Sequence, residues 1–112
     1  MAKNNPTSIM QKGIRTATAL LKRCGFTPVK GHYSQGFHYN SGFFYSPKGI
    51  LWYWATSDDR YFPGATPLFR TAKNLKDFVG GINRYPEDEE QLKKLVEDGD
   101  RGLLILNLFR EV

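Results

Sequence analysis

Apolar residues recur every three or four positions early in the chain: Met10, Ile14, Ala17, Leu21 and Cys24, with Ile9 and Leu20 widening the stripe. This spacing predicts an amphipathic helix with one buried face. Thr7 or Ser8, after Asn5-Pro6, is placed to cap it, and Gly25 to stop it. Gly13 falls inside the pattern, where its propensity cost is expected to be absorbed. Lys12, Arg15, Lys22 and Arg23 lie largely off the apolar stripe, and residues 1–6 are expected to fray.

From Phe26 the period shortens to two. Phe26–Lys30 reads as a strand, and Pro28, which cannot donate to a ladder, makes it an edge or an irregular strand. Gly31–Gln35 reads as a loop, Phe37-His38-Tyr39 as extended chain, and Asn40-Ser41-Gly42 as a turn or bulge. Phe43-Phe44-Tyr45 and Ile50–Thr56 form a hairpin closed by Ser46-Pro47-Lys48-Gly49. Alternation places Ile50, Trp52 and Trp54 on one face and Leu51, Tyr53 and Ala55 on the other. Both faces are apolar, so either both are covered or one waits for a partner.

Ser57–Arg60 reads as a turn, Tyr61-Phe62 and Leu68–Arg70 as short strands. Thr71 is expected to cap a helix carrying Leu75, Phe78, Val79 and Ile82. Pro86 opens a third helix with Glu87–Glu90 at its positive end, Leu92, Leu95 and Val96 inward, and Asp98-Gly99 as its stop. The apolar run over residues 103–109 is read as a final strand, with a closing helix as the alternative. The expected fold is a single α+β domain over residues 1–112. It has a mostly antiparallel sheet, a β-meander in residues 26–70, with an N-terminal helix and two later helices packed on it.

Charge is unevenly spread. The net value is +5, with +6 in residues 1–30, +3 in residues 31–85 and −4 in residues 86–112. A basic body with an acidic C-terminal helix fits a polyanion binder; the acidic helix itself reads as a solvated face stabilised by its own dipole, with packing against the complementary first helix, or contact with a basic partner, a second copy included, as the alternative. Cys24 is the only cysteine, which excludes an internal disulfide and favours the cytoplasm. The start MAKNNPTS has no apolar leader, and no membrane-length apolar run follows.

Eleven of the sixteen Phe, Tyr and Trp residues fall between His32 and Phe62. Bases stack on such rings at about 1–3 kcal/mol each, while nearby cations hold phosphates. Tyr39, Tyr45 and Tyr53 are the candidate stacking residues, because a tyrosine hydroxyl suits a wet surface better than an indole does. Lys12, Arg15, Lys22, Arg23, Lys30, Lys48 and Arg60 are the candidate cations. The competing reading is that the rings simply fill the core of a small domain. No RNP, helix-turn-helix or zinc-finger pattern accompanies them.

Other chemistry is sparse. His32 and His38 lack the company a metal site needs, so no metal is expected. Either could serve as an acid–base group, His38, inside a strand, being the stronger candidate; the competing reading is a half-buried, hydrogen-bonding histidine. Asp58-Asp59 reads as a turn pair. No glycine-rich phosphate loop joins a strand to a helix, and no cofactor is expected.

The stretch LLKRCGF at Leu20–Phe26, followed by glycines, a strand histidine and a hairpin, resembles the opening of the HicA-type toxin ribonucleases. The resemblance implies a double-stranded-RNA-binding-like fold and a cleavage role for His38. Gly36-Phe37-His38 departs from that family's Gly-Ser/Thr-His at its middle residue, and the acidic helix and final apolar run have no place in the pattern.

The leading expectation is a non-enzymatic nucleic-acid-binding accessory protein, monomer or homodimer, with DNA and RNA both open as partners. In it the basic first helix holds phosphates and an exposed tyrosine face stacks bases. The second is a protein-interaction or inhibitor module docking through the aromatic face or the acidic helix. The third is a small ribonuclease using His38.

Overall fold

The computed structural model describes residues 6–35, 39–57, 66–77 and 81–103. A 3-10 helix, Pro6–Lys12, leads into α1, Ile14–Arg23. Four strands follow, β1 (Thr27–Gln35), β2 (Tyr39–Tyr45), β3 (Leu51–Ser57) and β4 (Leu68–Thr71), and then α2, Glu89–Asp100. The sheet is antiparallel throughout, in the order β1-β2-β3-β4. Both helices bury their apolar sides in one cluster with Phe44, Trp52, Trp54 and Phe69. The result is an α+β domain with its helices on one sheet face. No helix among the described residues is long and apolar enough to cross a membrane.

The first helix is divided, contrary to the uninterrupted one expected. Gly13 has φ +141°, a backbone conformation that L side chains rarely adopt, and it caps α1 with no side-chain hydrogen bond. Thr16 Oγ1 donates across the break, 3.1 Å from Ile9 O and 3.0 Å from Gly13 O. Beyond the break the apolar stripe holds: Ala17, Leu20 and Leu21 are buried.

β1 is the edge strand that Pro28 foretold. The expected loop over Gly31–Gln35 is instead a bulge followed by more strand. Pro28 pairs with Phe44 and Tyr33 with Gly42, so β1 carries three extra residues between them, and Gly31 takes φ +81° there.

Asn40-Ser41-Gly42 is not a turn but the buried start of β2. Tertiary contacts decide this. Asn40 Nδ2 donates to Gln11 O at 3.2 Å and Met10 O at 3.5 Å, serving carbonyls at the end of the 3-10 helix. Gly42 lies where a Cβ would stand 2.9 Å from both Trp54 Nε1 and Tyr33 Cδ1.

The hairpin from Phe43 to Thr56 forms as expected, with Gly49 N donating to Ser46 O at 2.9 Å across the turn. The end of α2 fastens this turn. Ser46 Oγ donates to Asp100 Oδ1, and the Lys48 amide donates to Asp100 Oδ2 at 3.3 Å. An aspartate opposes the dipole at a helix C-terminus, so these bonds account for its place there.

The expected helix after Thr71 is absent from the described residues 72–77, which form bends and turns. Short polar side chains capture the backbone. Asp77 Oδ2 accepts from Lys73 N at 2.9 Å, and Asn74 Oδ1 accepts from Lys76 N at 2.8 Å. The acidic helix begins three residues later than expected, at Glu89. Asp88 is its cap, accepting from Gln91 N at 2.8 Å, while Gln91 Oε1 accepts from Glu87 N at 2.9 Å. It runs through the buried Gly99 to Asp100, and Gly102, at φ +79°, lies just beyond its end. The readings of Tyr61-Phe62 and residues 104–109 lie outside the described residues.

Candidate nucleic-acid interface

The helix that buries Ala17, Leu20 and Leu21 turns Arg15, Thr18, Ala19 and Lys22 away from the core, at i, i+3, i+4 and i+7. Along that outward face runs the edge strand β1. Together they form a groove of about 570 Å³, with Arg15, Thr18, Ala19 and Lys22 on one wall and Pro28, Lys30 and Tyr33 on the other. Arg15, Lys22 and Lys30 are all exposed, and no carboxylate is among the described residues that line the groove. Thr18 and Ala19 give it depth, being short side chains between two long cations.

Three of the ten candidate binding residues are thus brought together: Arg15, Lys22 and Lys30. The others lie elsewhere. Lys12 is exposed at the end of the 3-10 helix. Arg23 faces α2, where its Nη2 lies 3.0 Å from Glu89 Oε1, and Lys93 flanks the same carboxylate at 3.5 Å. Each partner stabilises the other's charge: the hydrogen bond raises Arg23 above the ordinary guanidinium range and lowers Glu89 below the ordinary carboxylate one. The complementarity of the first and acidic helices is therefore used, at least in part, within the chain. Lys48 belongs to a separate pocket of about 450 Å³, with Cys24, Phe26 and Val96 among its lining residues. Arg60 and His38 lie outside the described residues.

The tyrosines are divided as well. Tyr39 and Tyr45 project from the sheet face opposite the helices, as alternation from the core residue Phe44 requires, and they are 47% and 38% exposed. Tyr53 shares that face but is only 9% exposed. Phe43 packs on it at 5.1 Å between ring centroids, and the Arg70 guanidinium lies 4.6 Å over its ring. Asn83 Oδ1 holds that guanidinium by accepting from Nη1 at 2.8 Å. The basic helix and the exposed tyrosines therefore occupy opposite sides of the sheet and do not form one surface.

The ring that does join the cations is Tyr33, which the sequence reading passed over. A loop over residues 31–35 leaves its direction undefined. Gly31 three residues after Pro28 was the available sign of a bulge that restores the strand. His32 borders a different cavity, of about 200 Å³, with Ser34, Ser41, Phe43 and Leu75. No second histidine, carboxylate or lysine is among the described residues lining it.

Cys24 is half-buried beside α2. Burial, and next the negative charge of Glu89, push its thiol up from an ordinary 9.0 to about 11. At pH 8 iodoacetamide is expected to label the folded protein roughly tenfold or more slowly than the urea-unfolded chain. Equal rates would contradict this environment.

No family model, no curated protein and no solved structure matches this chain.

Proposed function

We propose that the protein binds nucleic acid through the groove between α1 and β1. The observation that carries this reading is the convergence of Arg15, Lys22 and Lys30 from two elements onto one groove, with Tyr33 among them. Three exposed cations at such close quarters repel one another, and a polyanion threading between them relieves that repulsion while releasing its own counterions. The chemistry is binding, and it covers DNA and RNA alike.

The test is fluorescence anisotropy of labelled oligonucleotides over a range of salt. Affinity is expected to fall steeply as salt rises. Changing Arg15, Lys22 and Lys30 to Ala together should flatten the slope of log K against log salt by about 2–3, at roughly 0.7–0.9 per lost phosphate contact. Arg23→Ala should change it less, since that guanidinium already faces Glu89. Absence of binding at low salt, or a slope indifferent to the triple substitution, would reject the groove as the site.

A further inference from the structure

We infer that the groove takes a single strand, with a base stacked on Tyr33, and not a duplex; this rests on the nucleic-acid reading above. The first reason is shape. A duplex is read by an element that protrudes into one of its grooves, a helix or a two-stranded ribbon with both flanks free. Here α1 does not protrude. Its outward face is one wall of a trough, and Pro28, Lys30 and Tyr33 of β1 stand along the other. Arg15 and Lys22 reach out a helical turn either side of Thr18 and Ala19, so the cations rim a concave floor. A concave, cation-rimmed channel tracks one flexible backbone.

Size agrees. A volume of about 570 Å³ is that of a small-ligand cleft, enough for a short length of one strand.

The second reason is the ring. Single-strand binders pair cations with a flat side chain, because every base has a face to stack and no base-edge code is needed. Tyr33 is half-buried and its seat is defined: across the strand pair it lies over Gly42, whose missing Cβ would stand 2.9 Å from Tyr33 Cδ1. Trp54 closes the other side of that glycine. A ring so held loses little further freedom when a base stacks on it. Lys30, three residues before it on the bulged strand, brings a cation to the same wall.

The experiment compares a labelled single strand of mixed sequence with a duplex of the same length, by anisotropy at low salt. The single strand is expected to bind at least tenfold more tightly. Tyr33→Ala should weaken it by about 5- to 150-fold, with Tyr33→Phe close to the parent protein. Tyr33→Leu keeps an apolar side chain over Gly42 without a π face, and should lose affinity like the alanine variant while still melting cooperatively. Duplex binding as tight as single-strand binding, or undiminished binding by folded Tyr33→Leu, would overturn the inference and leave the nucleic-acid reading standing. Failure of the parent protein to bind either form would remove that reading and this inference with it.

Discussion

Replacing Phe44 with alanine is expected to cost about 3–5 kcal/mol of folding stability. Phe44 is fully buried at the centre of the aromatic core. Its ring stacks on Phe26 at 5.1 Å and on Trp52 at 6.2 Å, and meets Phe69 edge-on at 6.1 Å. Those rings come from the α1–β1 connection, β3 and β4, so one side chain joins the start, middle and end of the sheet. The loss combines the transfer energy of a benzyl group with a cavity that three rigid neighbours cannot refill. Against the roughly 5–15 kcal/mol that holds a domain together, much of the reserve would go. A urea titration should show the midpoint falling sharply with the slope unchanged. A loss below about 1 kcal/mol would mean that the stack is not central to stability.

Gly42→Ala is the second large effect, and it acts by crowding where Phe44→Ala acts by emptying. The added Cβ would lie 2.9 Å from Trp54 Nε1 and 2.9 Å from Tyr33 Cδ1. Trp54 is fully buried and part of the core, so its indole has nowhere to retreat without moving its neighbours. Overpacking of this kind costs about 1–3 kcal/mol. The substitution also tilts Tyr33, whose ring leans on the same spot, so single-strand affinity should fall together with stability. A variant that melts like the parent would show that the strand pair can open at this point. One that is destabilised yet binds normally would show that Tyr33 does not depend on Gly42 for its position.

Some of this molecule is legible in its sequence alone. The spacing of Ala17, Leu20 and Leu21 is a local property of the chain, and the helix face it indicated is the buried one. The alternation of Trp52 and Trp54 against Tyr53 is equally local, and the two tryptophans do share the core face. Pro28 lacks an N–H wherever it sits, so an edge strand suited it from the outset. Ser46–Gly49 carries its turn in its own residue types.

Other positions misled because their residue types have two uses. Asn40-Ser41-Gly42 has a turn composition, yet the asparagine serves carbonyls of a helix some thirty residues away, and the glycine makes room for a tryptophan on the next strand. Thr71 followed by spaced apolar residues imitates a helix start. Asn74 and Asp77 bond the local backbone instead, and over residues 72–77 that local competition prevails.

The candidate site divides along the same line. That Arg15 and Lys22 lie off the apolar stripe was fixed by helical period, since residues seven apart share a face. That Lys30 and Tyr33 meet them, and that Arg23 turns to Glu89, depended on where β1 and α2 pack. The burial of Tyr53 beneath Arg70, and the exposure of Tyr39 and Tyr45 on the far side of the sheet, were likewise settled by strand pairing. Periodicity is set by bonds between near neighbours and can be read from a string of residues. Which surfaces meet is set by burial summed over the whole chain, and only the folded arrangement supplies it.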